Sequence, residues 1–333
     1  MIQPMLAFIE ITPWHWGGFV LCVIFFLALD LGVFHRRAHV VKFKEALAWT
    51  AIWVTLSMIF AAALVPLRGR QEAVEFVTGY LIELSLSMDN VFVIALIFTY
   101  FRVPSQYQHR VLFWGILGAL VMRGVMIATG AALIERFSWM LYAFGAFLIF
   151  TGIKMMFVGN EEVHPEKNPM IRLARKLFPV SDEIRDQKFT TRLDARLALT
   201  PLALVLLMVE TTDLIFALDS IPAIFGVTTK RFIVFTSNVF AILGLRSLYF
   251  VLAGMIDYFR YLKVGLSVVL VFIGVKMLLD PHGQPEKWFQ VEIPTGVSLL
   301  VVGVIILTSI LLSVTAARRE KKTGQRDSDG QGR

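Results

Sequence analysis

The chain has 333 residues, 57% of them hydrophobic and 17% charged, with 28 Phe and 7 Trp, whereas soluble domains average about 45–50% apolar and about 25% charged. That excess argues against a soluble enzyme, and a single cysteine, Cys22, excludes an internal disulfide and a cysteine-cluster metal site. The net charge of +7 fits either nucleic acid or an anionic membrane surface, so its distribution along the chain decides.

A bilayer core about 30 Å thick takes about 20 apolar residues per helix. Nine segments qualify: 14–34, 45–67, 76–100, 111–134, 138–158, 198–225, 232–255, 262–279 and 293–316. An all-α polytopic membrane protein of about nine transmembrane helices is expected. No basic residue precedes the first span, because Lys and Arg begin at Arg36, so it does not read as a cleavable signal peptide. Asp30, near the end of that span, reads as an interfacial acid. Carboxylates interrupt the third and sixth spans, and a broken helix there could re-enter rather than cross. Between the fifth and sixth spans Gly159 to Arg196 is the sizeable polar insertion, with Pro165, Pro169 and Pro179. It reads as a cytoplasmic linker with one or two amphipathic turns. The tail 318–333 reads as a stop-transfer flank followed by a disordered end. Neither segment has the aromatic interleaving or motif that nucleic-acid binding needs.

Lys and Arg divide 22 against 6 between the two sets of loops, with Arg123, Lys154, Arg246 and Lys276 inside spans. The richer set belongs on the cytoplasmic side. The N-terminus is therefore expected outside and the C-terminus in the cytoplasm.

The sequence also repeats itself. ELSLSMDN from Glu83 to Asn90 matches DLIFALDS from Asp213 to Ser220 at an offset of 130, each with an acid, five residues, a second acid and a small polar residue. ILGALVMR ending at Arg123 matches VFAILGLR ending at Arg246 at an offset of 123. FTGIKM, with Lys154, matches FIGVKM, with Lys276, at 122. Three matches in one order indicate a duplicated three-helix unit. A unit with an odd number of crossings has to be inverted in its second copy, which is the usual construction of secondary transporters, with the site where interrupted helices meet. The expected organisation is flanking helices in 1–75, a first repeat in 76–158, a cytoplasmic loop in 159–197, a second repeat in 198–280, a last helix in 281–317 and the tail 318–333.

An ionised carboxylate at the membrane centre costs at least about 2.5–3.5 kcal/mol. Glu83 and Asp89 in the third span and Glu210, Asp213 and Asp219 in the sixth therefore need a reason, and Asn90, Ser85, Ser87, Thr211, Thr212 and Ser220 place neutral oxygens beside them. A donor set made only of oxygen favours magnesium, calcium or manganese over softer ions. At about 100° per residue, Glu83, Ser87 and Asn90 share one helical face, as do Glu210 and Asp213. Asp89 lies about 120° from Glu83, and Asp219 likewise from Asp213. Either the helix unwinds locally, as Pro222 after Asp219 would favour, or the acids mark separate stations on a path. A structural alternative pairs the acids with Arg123 and Arg246, but two arginines cannot neutralise five carboxylates, and Lys154 and Lys276 lie near span ends where they can snorkel to the headgroups.

The runs from Gly79 to Val93 and from Val209 to Phe225, together with TSNVFAILGLR from Thr236 to Arg246, closely resemble the TerC/Alx family of bacterial integral membrane proteins, nearest its Alx branch. The resemblance extends from about Trp14 to the last span. It implies a manganese exporter of the bacterial inner membrane, with manganese(II) as transported substrate, protons as exchange partner, lipid around it and no organic cofactor. Carried over residue by residue, the family's acidic motifs fall on Glu83, Asp89, Asn90, Glu210, Asp213 and Asp219. Arg123, Arg246, Lys154 and Lys276, inside spans, are expected as ion-pair or gating residues. Exporting a divalent cation against the membrane potential costs twice about 2.3 kcal/mol per 100 mV, so export needs a driving ion. No Gly-x-x-x-x-Gly-Lys loop is present for direct use of ATP.

Two other readings compete. An intramembrane enzyme would use paired aspartates to activate water, but the chain lacks a His-Glu-x-x-His motif and a Gly-x-Ser-x-Gly elbow. A membrane partner of the secretion machinery, delivering manganese to exported proteins, would use the same site and dock through the loop 159–196.

Overall fold

The computed structural model describes residues 11–29, 42–157, 166, 168–181, 188–193, 196–253, 261–280 and 290–330. Asp30, Arg36 and much of the polar loop, including Pro165, lie outside the described residues.

The fold is all-α and polytopic. Its helices are α1 (Pro13–Leu29), α2 (Phe43–Arg68), α3 (Arg70–Tyr100), α4 (Ser105–Arg136), α5 (Met140–Phe157), α6 (Pro169–Leu177), α7 (Pro201–Phe225), α8 (Arg231–Ala253), α9 (Leu262–Leu279) and α10 (Thr295–Gly330). Eight of them are long and apolar enough to cross a membrane, and α1 is a shorter apolar helix at the place of the first expected span. Leu21, Ile24 and Phe25 on α1, and Leu300, Leu307 and Leu311 on α10, point outward with half or more of their surface exposed. Such faces need lipid rather than water.

Local chemistry sets the boundaries. Gly69 holds φ at 94°, a left-handed conformation that a side chain would strain, and so lets α3 start one residue after α2 ends. Asn168 caps α6 by accepting hydrogen bonds from the backbone N–H groups of Met170 and Ile171. Pro201 opens α7 at a position where its missing N–H costs nothing.

The loop between the fifth and sixth spans has more structure than one or two amphipathic turns. It holds α6 and a hairpin of β1 (Thr190–Leu193) and β2 (Arg196–Leu199), paired antiparallel with Thr190 opposite Leu199. Ile171 of α6 packs with Leu202, Val205 and Met208 of α7, which fastens the insertion to the bundle. At the far end α10 continues to Gly330, through a tail whose composition reads as disordered; Ala316 to Lys322 contains neither Gly nor Pro, so nothing local stops the helix there.

A second correction concerns α3 and α7. Both run without a break past their acids, and Pro222 sits inside α7 close to its end. Only the ladder bond that would have reached its missing N–H is lost, and the turn closes through Gly226 N–H to Pro222 C=O at 3.0 Å. Local unwinding is therefore not how the acids are brought together.

The two three-helix units contact each other in matched pairs. α3 packs on α8 and α4 on α7, while α5 packs on α9 and α3 on α7. Exchanging the units turns the first contact into the second and leaves the other two unchanged. The α5–α9 seam obeys the same exchange at atomic scale. A methyl on Gly145 would lie 2.9 Å from Gly274 O, and one on Gly152 would lie 2.9 Å from Ser267 O. At the 122-residue offset Gly145 corresponds to Ser267 and Gly152 to Gly274, so these are two copies of one backbone approach.

Candidate functional site

Glu83 sits near the middle of α3, Arg123 of α4 and Asp213 of α7. Arg123, 1% exposed, joins them. Its Nε and Nη2 donate to the two oxygens of Asp213 at 3.1 and 2.8 Å. Its Nη1 donates to Glu83 Oε1 and, at 3.4 Å, approaches Ser220 Oγ. The guanidinium thus makes a fork to one carboxylate and a single bond to another, a geometry that a lysine could not reproduce. Ser220 reaches the same arginine because it follows Asp213 by two helical turns on the same face.

Glu210 stands one turn before Asp213, half-buried, with its carboxylate against Gly118 of α4. A methyl on Gly118 would fall 1.9 Å from Glu210 Oε1, so glycine is what leaves room for the acid. Glu83 and Asp213 therefore share one arginine, with Glu210 a turn away on α7.

The remaining sequence candidates lie elsewhere on the same helices. Asn90 is buried on α3, and Asp89 beside it is half-buried. Asp219 of α7 faces Thr151 and the charge of Lys154, an exposed residue of α5. Arg246, 7% exposed, is buried on α8. Lys276 departs from the expectation of snorkelling: it is 3% exposed, 3.7 Å from Asp280 and within electrostatic reach of Glu75. A carboxylate partner at each side makes burial tolerable for the ammonium.

The first acids of the two repeats, Glu83 and Asp213, are thus brought together. The second acids, Asp89 and Asp219, project about 120° away around continuous helices and so are not aimed at the same point. Among the described residues no three His, Cys, Asp or Glu side chains are grouped so as to hold a metal ion.

A second ionic cluster lies where α3 begins. Arg68 bonds Glu72 at 2.8 Å, Lys230 lies 3.3 Å from Glu72 and 3.2 Å from Glu75, and Thr228 donates to Glu75 at 2.8 Å. Glu72 and Glu75 precede the apolar run of the third span, so in sequence they look like an ordinary polar flank. Asn238 lies in the run Thr236 to Arg246 that carries the family resemblance but has no acid to mark it as a site residue; its side-chain Oδ1 and Nδ2 are buried without hydrogen-bond partners.

The TerC family of integral membrane proteins matches residues 68–321 of the chain. An uncharacterized membrane protein of Myxococcus xanthus, STKORF319, is 52% identical over 307 residues, 92% of this chain and 94% of that protein. Alx of Escherichia coli K12, provisionally named a membrane-bound redox modulator, is 49% identical over 323 residues, 94% of this chain and 98% of its own length. An uncharacterized membrane protein of Rickettsia bellii is 39% identical over 299 residues, 90% of this chain and 96% of that protein. No solved structure matches.

Proposed function

The chain belongs to the TerC family of integral membrane proteins, and from that premise we propose that it is a secondary transporter that exports manganese(II) from the bacterial cytoplasm in exchange for protons. It works in the inner membrane with the N-terminus outside and the C-terminus inside. The observation that carries this reading is the charge at mid-bundle: Glu83 and Asp213 share the one bonded cation Arg123 at the α3–α4–α7 junction, and Glu210 stands a turn from Asp213 against α4. Excess negative charge in a low-dielectric interior has to be relieved by protons or by a bound cation. Carboxylates that accept either one provide the exchange without further machinery.

Arg123 holds the place that a metal would take between Glu83 and Asp213. Loading then requires the guanidinium to withdraw, which a shift between inverted repeats would accomplish. In that shifted state manganese is held by Glu83 and Asp213, with Glu210 drawn in from a turn away on α7 and neutral oxygens beside them, while Asp89 with Asn90 and Asp219 form the stations on either side of the junction. Two inward protons per metal cancel the electrical cost of export. The redox role in the name of the Alx relatives finds one thiol here, Cys22, exposed on α1, so the reading rests on the carboxylates.

The test is manganese flux in sealed vesicles with an imposed pH gradient. Wild-type protein should move manganese against its gradient and release protons in return, and Asp89→Asn and Asp219→Asn should each abolish both. Unchanged efflux from both variants at normal membrane abundance would sink the mechanism.

A further inference from the structure

Glu83 Oε2, Ser87 Oγ and both amide atoms of Asn238 are buried polar atoms without hydrogen-bond partners. Glu83 and Ser87 are one turn apart on α3 and share a face. Asn238, 1% exposed, is on α8, in the other repeat. A buried amide with neither its donor nor its acceptor used is rare in folded proteins and points to a missing partner.

Helix geometry fixes where that amide looks. On α8, Tyr249 donates its hydroxyl to Gln108 of α4 at 3.1 Å and packs edge-on against Phe98 of α3, so its face of the helix opens on the α3–α4 cleft. Asn238 precedes Tyr249 by eleven residues, about three turns, which returns it to nearly the same face. Its height along the cleft follows from two close approaches. A methyl on Gly79 of α3 would meet Ser237 Oγ at 2.9 Å, and one on Gly124 of α4 would meet the Phe235 ring at 3.5 Å. Glu83 is one turn from Gly79, and Arg123 is next to Gly124. Asn238 therefore looks into the cleft at the level where Arg123 grips Glu83.

We propose that Asn238 is a neutral oxygen ligand of the transported divalent cation, contributed by the second repeat, with Glu83 Oε2 and Ser87 Oγ completing its side of the coordination shell. The proposal rests on the manganese reading above and adds a residue from a third helix. It has a chemical consequence: an amide carbonyl and a hydroxyl add oxygens without adding charge, which lets the acids still be discharged by two protons. An amide also suits manganese, calcium or magnesium better than softer ions.

The experiment is equilibrium dialysis of manganese(II) chloride against the purified full-length protein in detergent, with metal-free thermal unfolding measured alongside. Asn238→Leu keeps the volume and removes both polar atoms, and it should weaken manganese binding at least about tenfold, as the loss of a supporting ligand does. Its metal-free melting temperature should equal or exceed that of wild type, because no hydrogen bond is lost. Asn238→Asp should restore binding to within about threefold or tighten it, since it keeps the oxygen. Wild-type affinity in Asn238→Leu, a lowered melting temperature accounting for its weak binding, or failure of Asn238→Asp to rescue would each overturn the proposal. Glu83→Gln separates the two ideas. If it abolishes binding while Asn238→Leu does not, only the role of Asn238 falls; if wild type binds no manganese, the transport reading falls with it.

Discussion

Two ionic clusters in this bundle contain the same chemical groups and differ in balance and in access to water. Where α3 begins, Arg68 and Lys230 face Glu72 and Glu75, with Lys276 also within reach of Glu75, and the Lys230 side chain is 41% exposed. At mid-bundle Arg123 faces Glu83 and Asp213, with Glu210 against the same helix, and the arginine side chain is 2% exposed. The first cluster is complete as it stands and ties the start of α3 to the turn before α8. The second has one arginine for two buried acids, with the half-buried Glu210 a turn away. Under the transport reading proposed above, that shortage is what a site alternating between protons and a metal requires.

The largest effect should come from breaking the buried cluster on its cationic side. Arg123→Met leaves Glu83 and Asp213 buried without their counter-charge, which costs about 3–5 kcal/mol when one partner of a buried pair is removed. Thermal unfolding in detergent should show a large loss of stability, and adding Glu83→Gln and Asp213→Asn to the same chain should recover most of it. A single variant that melts like wild type would mean that the arginine is not the cluster's anchor.

Charge and helix displacement can be told apart at the α5–α9 seam, where no charge is involved. A methyl on Gly274 would lie 2.6 Å from Gly145 O, and one on the equivalent Gly152 would lie 2.9 Å from Ser267 O. Gly274→Val and Gly152→Val should each cost about 1–3 kcal/mol through overpacking. The two losses should be similar, because the sites are copies of one contact. A large loss at one and none at the other would break the exchange symmetry and leave the carboxylate clusters without a shared architecture.

Much of this was legible beforehand. Hydropathy marked the spans, since a run of twenty apolar residues has few other uses, and the paired motifs around Glu83 and Asp213 marked the helices that meet. The acids themselves stood out because lipid penalises them. What the sequence hid depends on distance between helices. Pairing of the acids with Arg123 is one of the alternatives the sequence offers, and the structure shows it for Glu83 and Asp213; nothing local says that Gly118 would make space for Glu210, or that Lys276 would find Asp280 and stay buried. Pro222 looked like a break because proline removes one ladder bond, yet close to the end of a helix that loss is small. The hairpin 190–199 was missed because its strands are four residues each, too short for alternation to show.

At the end cluster a smaller change is expected. Glu75→Gln keeps an oxygen for the Thr228 hydroxyl but removes the charge opposite Lys230, which lies 3.2 Å away and is part-exposed. A hydrogen bond to a charged group is worth about 1.5–3 kcal/mol net, and water reaching Lys230 recovers part of it. A loss of about 1 kcal/mol in unfolding free energy is expected, with manganese efflux retained. Abolished efflux in a well-folded Glu75→Gln protein would move this cluster from clamp to pathway.

The smallest effect belongs to Arg231 and Glu135, a salt bridge whose side chains are 47% and 63% exposed. Exposed pairs contribute about 0–1 kcal/mol, because water already solvates both partners and holding two long side chains in register costs entropy. Arg231→Met should therefore change stability by less than about 1 kcal/mol, and that difference should vanish in 1 M salt, where charges are screened within about 3 Å. The salt response is what makes the variant informative. The Arg123 cluster is closed to solvent ions, so its contribution should survive the same salt, and together the two measurements set burial against charge as the cause of the difference between the clusters. If high salt weakened the Arg123 cluster as much as the exposed pair, mid-bundle would have to be open to water, and the excess carboxylate charge there would need no metal or proton to offset it.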